Sequence, residues 1–72
     1  MSRLANITAR ECIRALERGG FSFVRQTGSH AVYDDGEHTV VVPRHPGKIK
    51  PGTMKSIIKQ AAMTEEEFLK LL

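Results

Sequence analysis

At 72 residues the chain has room for one domain, spanning 1–72, and its core is too small to enclose a large cavity, so any site is expected in a surface groove. The formal charge is +3, and between Glu37 and Glu65 there is no carboxylate while Arg44, Lys48, Lys50, Lys55 and Lys59 fall in that interval, so an anionic partner competes evenly with an ordinary solvated basic face. A single cysteine, Cys12, excludes an internal disulfide, and no run approaches the ~20 apolar residues of a membrane span or the core of a signal peptide, which makes soluble and cytoplasmic the expectation.

In chain order, Thr8-Ala-Arg-Glu11 has the form of a capping box and opens a helix over roughly residues 9–18. Ala9, Cys12 or Ile13, and Leu16 recur on one face of it, and Gly19-Gly20 ends it. FSFVRQT, HAVYD and HTVVVP then read as three antiparallel strands, joined at Gly28-Ser29 and at Asp35-Gly36. A two-residue loop at Asp35-Gly36 sets Asp34 opposite Glu37. Ala31 and Tyr33 then share a face with His38, Val40 and Val42, which is expected to pack on the helices. His30 falls on the other face with Val32, Thr39 and Val41.

PRHPGKIKPG, rich in proline and glycine, is expected to lack regular structure. TMKSIIKQAA resumes the helical pattern with Met54, Ile57 or Ile58, and Ala61 inward. Thr64-Glu-Glu-Glu67 is a second capping box, opening a short last helix that offers Phe68, Leu71 and Leu72 to the core. The expected fold is α+β: α-β-β-β-α with a short C-terminal helix, the three-stranded antiparallel sheet packed on the helices.

The chemistry narrows by elimination. Asp34, Asp35 and Glu37 are accounted for by a hairpin turn, and His30, His38 and His45 have no zinc-like spacing, so neither metal nor cofactor is expected. Ser29 and His30 point to opposite faces of a strand and make no triad, while Cys12 sits on an apolar helix stripe. What is left is proton transfer by imidazole, which suits RNA: its 2′-hydroxyl attacks the adjacent phosphate once a base removes the proton. A lone histidine at a strand start is more often structural. His45, flanked by Arg44 and Lys48, is the better second candidate, ahead of His38 at the hairpin.

The segments LERGGF, FVRQTGSHAVY, TVVVPRHPGK, KPGTMKSIIKQA and TEEEFLKLL, in that order and spacing, resemble the HicA toxins of toxin-antitoxin systems almost from end to end. The resemblance implies a fold similar to the double-stranded RNA-binding domain and a metal-independent endoribonuclease, an mRNA interferase, neutralised by a HicB-type antitoxin. It also implies that Gly28-Ser29-His30 is the family's Gly-Ser-His motif, with His30 catalytic, Gly28 permitting a tight turn and Ser29 capping it. Arg44, His45, Lys48, Lys50 and Lys55 are the candidates for RNA binding. Ala62 stands where the family would carry a glycine after the penultimate helix, so this junction is expected to stay helical or to turn less sharply. Two other readings are a non-catalytic RNA-binding module of the same fold, and a scaffold that docks a partner on Val32, Thr39 and Val41.

Overall fold

The structure, a computed structural model, describes residues 3–72. Its elements are β1 (Ile7–Thr8), α1 (Ala9–Arg18), β2 (Ser22–Thr27), β3 (His30–Asp34), β4 (Thr39–Pro43), β5 (Lys48–Ile49), α2 (Pro51–Gln60) and α3 (Glu65–Lys70). Strands β2, β3 and β4 form an antiparallel sheet in that order, and β1 with β5 forms a second, two-stranded one. The α+β architecture is the one the sequence predicts.

Both capping boxes form. At α1 the Thr8 hydroxyl accepts from the Glu11 amide at 3.2 Å, while the Glu11 carboxylate accepts from the Thr8 amide at 2.9 Å. Thr64 and Glu67 repeat the exchange at α3. Each satisfies backbone donors that a helix start otherwise leaves open. The amphipathic face of α1 buries Ala9, Cys12, Ala15 and Leu16.

The two long helices end alike. After α1 the Gly20 amide donates to the Glu17 carbonyl and the Phe21 amide to the Leu16 carbonyl, with Gly20 at φ +96°. After α2 the Ala62 amide donates to Lys59 and the Met63 amide to Ile58, with Ala62 at φ +56°. This is the Schellman arrangement, which needs a left-handed residue just beyond the helix. The gentler turn expected at Ala62 is therefore not what occurs. A full reversal brings Phe68 of α3 to complete burial and packs Met63 on the core, which outweighs a left-handed penalty of roughly 1 kcal/mol.

The helices cover one face of the main sheet. Ala31, Val40 and Val42 have no exposed surface, and Tyr33 keeps 4%. With Leu4, Leu16, Met54, Ile57 and Phe68 they make up one core. Ala31, Tyr33, Val40 and Val42 share the core face as expected. Val32 on the opposite face is also buried, at 7% exposed, so it offers no open patch with Thr39 and Val41. The register differs from the expected one by two residues. Asp34 pairs with Thr39 and His30 with Pro43, so the loop is the four-residue stretch 35–38. The cause is local hydrogen bonding by carboxylates. Asp35 accepts from the amides of Glu37 and His38 at 2.9 and 2.6 Å, and Asp34 accepts from the Gly36 amide at 2.7 Å. A slip of two preserves which side chains share a face.

Two further differences concern the chain ends of the pattern. Lys48–Ile49, inside the segment expected to be irregular, forms β5 by pairing Ile49 with Ile7 and Lys48 with Thr8. Burial of both isoleucines, at 4% and 7% exposed, drives a pairing between segments remote in sequence. Leu72, expected inward, is 46% exposed, whereas Leu71 packs on the core and its carbonyl accepts from Arg18 at 2.8 Å.

Candidate active site

The site starts with a tight turn. Thr27 pairs with His30, so Gly28 and Ser29 alone connect β2 and β3. Gly28 has φ +58° and Ser29 does not have a positive φ, the pattern of a hairpin turn with glycine at its first central position. His30 is thus the first residue of β3, at the end of the sheet and exposed.

The next strand end is tied to this turn. The Arg44 amide donates to the Ser29 carbonyl at 2.6 Å. The Arg44 guanidinium donates to Gln26 Oε1 at 3.0 Å, and Gln26 Nε2 donates to the Gly28 carbonyl at 3.1 Å. These bonds hold the start of the proline loop against the Gly28-Ser29 turn. His45 follows directly, between Pro43 and Pro46, whose fixed φ angles limit the backbone. Its ring lies 6.3 Å from that of His30, centroid to centroid, at an interplanar angle of 82°.

Both imidazoles line an open groove of about 460 Å³, together with Pro43, Lys48, Ile49, Lys50 and Thr53. β5 delivers Lys48 and Ile49, and the start of α2 delivers Lys50 and Thr53. Lys50 is the N-cap of α2 and makes no side-chain cap, Pro51 has no amide hydrogen, and the first turn holds no acidic residue. The positive end of the helix dipole therefore adds to two ammonium groups in favouring an anion here.

A second groove, of about 440 Å³, is lined in part by His45 and Pro46. It is walled by Arg10, Arg14, Ile13 and Glu17 of α1 and by Arg44. His45 is common to both grooves.

Of the residues singled out in the sequence, His30, His45, Lys48 and Lys50 come together. Arg44 lies next door, in the second groove. Lys55, exposed on α2, lines neither. Ser29 joins through its backbone carbonyl. Sequence reasoning missed Thr53, Arg10 and Arg14. The spacing of Arg10 and Arg14, four apart on the polar side of α1, was the available signal.

The other reactive groups are occupied elsewhere. His38 contacts the Asp35 carboxylate at 3.2 Å. Cys12 is fully buried, and burial pushes its thiol up to about 12, so it stays protonated and unreactive. Among the described residues no three His, Cys, Asp or Glu side chains converge as a metal-binding set. No helix among them is long and apolar enough to cross a membrane.

Fold and groove together define a small basic α+β domain that presents paired imidazoles beside ammonium groups on an open surface. Residues 9–63 match the family described as HicA toxin of bacterial toxin-antitoxin systems, and the chain belongs to that family. Its class is thereby the toxin of a toxin-antitoxin system. Comparison with individually curated proteins finds no match.

Proposed function

We propose that the chain is the endoribonuclease toxin of its pair, an mRNA interferase acting in the cytoplasm without a metal, with His30 as a catalytic residue and a HicB-type antitoxin as its neutralising partner. The observation that carries this reading is the exposed His30 in a groove with His45, Lys48, Lys50 and the uncapped start of α2, in a chain of a toxin family.

RNA supplies its own nucleophile. The ribose O2′ attacks the adjacent phosphorus as its proton passes to a base; the P–O5′ bond breaks, and O5′ takes up a proton. The products are a 2′,3′-cyclic phosphate and a 5′-hydroxyl. Imidazole is suited to proton transfer at neutral pH, and Lys48, Lys50 and the α2 amides stabilise the charge that grows on the phosphoryl oxygens. Gly28 sets the turn that begins β3 at His30, and Ser29 ties that turn to Arg44.

The test uses purified protein, labelled single-stranded RNA and EDTA. Wild type cuts the RNA, and His30→Ala retains fold and affinity while losing cleavage and growth inhibition. Cleavage by His30→Ala at the wild-type rate would overturn the assignment. RNA that is retarded but uncut by wild type would favour a non-catalytic binding module. Retention of wild type by a co-expressed protein from the neighbouring reading frame, with relief of growth arrest, tests the antitoxin.

A further inference from the structure

We infer that His45 is the second proton-transfer group of the site, paired with His30 across one phosphodiester: one imidazole takes the proton from O2′ and the other delivers a proton to O5′. The inference rests on the ribonuclease reading above and adds a catalytic residue to it.

Three observations carry it. The first is distance. At 6.3 Å between ring centroids the imidazoles are too far apart to bond to each other, and each reaches about 3 Å to a hydrogen-bond partner, so a phosphate seated between them touches both. The rings are nearly perpendicular, which directs their nitrogens at different atoms of such a group.

The second is placement. His45 is the residue shared by the two grooves, so a chain running from the Arg10 and Arg14 wall to the Lys48 and Lys50 wall passes over it. Cations flank it on both sides, with Glu17 the carboxylate in the second groove. The lysines of the His30 groove supply positive charge to a growing anion, whereas an imidazole, with one nitrogen to accept and one to donate, suits both halves of a proton exchange.

The third is support. His45 follows a residue whose amide is bonded to the Ser29 carbonyl, one position before His30, and whose guanidinium reaches Gln26. The two rings are thereby carried on backbone segments hydrogen-bonded to each other. A histidine that merely decorated a loop would need no such link.

The proton balance is closed. The base gains the O2′ proton as the O2′–P bond forms, the acid loses one to O5′ as the P–O5′ bond breaks, and hydrolysis of the cyclic phosphate or exchange with water restores both rings.

The experiment compares wild type, His30→Ala, His45→Ala and His45→Arg on ordinary RNA and on RNA with sulfur in place of the bridging 5′-oxygen at the cleaved bond. A 5′-thiolate leaves without needing a proton. His45 is exposed, so its variants are expected to fold, and melting curves of each variant test this. On ordinary RNA His45→Ala is expected to lose about 10²–10⁴-fold in kcat/KM, with RNA affinity little changed. His45→Arg is expected to be as inactive, although it keeps a positive charge. The sulfur substrate restores cleavage to one of the two alanine variants and not the other, which names the acid. In wild type kcat/KM against pH is bell-shaped, and each alanine variant loses one limb.

The proposal is overturned if His45→Ala cuts ordinary RNA at near the wild-type rate, if His45→Arg retains cleavage, if both limbs persist without His45, or if the sulfur substrate rescues both variants or neither. In those cases wild type still cuts ordinary RNA, and the ribonuclease reading stands. Wild type that leaves both substrates uncut removes that reading as well.

Discussion

The main sheet turns back on itself twice, with His30 directly after the first turn and His38 the last residue of the second. Between β2 and β3 the reversal takes two residues, made by a glycine at φ +58°. Between β3 and β4 it takes residues 35–38, and the carboxylates of Asp34 and Asp35 wrap it with hydrogen bonds to Gly36, Glu37, His38 and Thr39. In the first turn backbone freedom does the work, so His30 is left to face the groove. In the second turn side chains do it, and His38 is engaged by Asp35. A turn built from glycine frees neighbouring functional groups, and a turn built from aspartates consumes them.

The largest expected effect tests the functional half of that contrast. His30→Ala should lower the initial rate on labelled RNA by about 10²–10⁴-fold, while His38→Ala should stay within roughly twofold of wild type. A His38 variant as inactive as the His30 variant would erase the distinction.

Gly28→Val and Gly36→Val come next. An added Cβ meets nothing within 4 Å at either position, so the penalty is torsional, and both residues have positive φ. Each substitution should lower stability by about 1–2 kcal/mol, read from chemical denaturation. Only Gly28→Val should also depress cleavage beyond its effect on folding, because only that turn aims His30. Equal loss of cleavage in both would break the comparison.

Acid pH addresses the carboxylate turn. The amides of His38 and Glu37 hold the Asp35 carboxyl down at about 2, and the Thr39 hydroxyl and Gly36 amide lower Asp34. A carboxyl lowered on folding stabilises the native state above its unfolded value near 4, and that contribution fades as pH falls toward 2. The melting temperature should therefore decline between pH 4 and 2, and Asp35→Asn should make the decline shallower. An unchanged slope would deny Asp35 its part, since Asp34 and the capping-box carboxyls Glu11 and Glu67, all lowered as well, would then carry the effect.

The smallest effect extends the logic to helix ends. Gly20 and Ala62 occupy equivalent left-handed positions, and Ala62→Gly should raise stability by about 0.5–1 kcal/mol, while Gly20→Ala lowers it by a similar amount. Calorimetric melting of the two variants decides it.

Much of this was legible in the sequence. Capping boxes at Thr8 and Thr64 are local, and their signals held. The faces of β3 and β4 were read correctly even though the register was not, because parity survives a slip of two. Loop length was misread because Asp-Gly signals a short loop, yet Asp34 and Asp35 each bind backbone further on. The β1–β5 pair was illegible because Ile7 and Ile49 meet only through tertiary packing. At the site, His30, His45, Lys48 and Lys50 could be named one by one. Their convergence depends on β5 and on the bond from Arg44 to Ser29, which no local pattern encodes.

Gln60 carries one more consequence. Its Oε1 accepts from the Val41 amide at 3.0 Å, on the outer border of β4, and Pro43 on the same border has no N–H to offer. Fibril growth by strand addition requires two receptive borders on every molecule, one to give and one to take. With the β4 border stoppered by a glutamine and a proline, strand-by-strand stacking ends after a single neighbour has joined at β2, and a bulge between Phe23 and Arg25 blunts even that border.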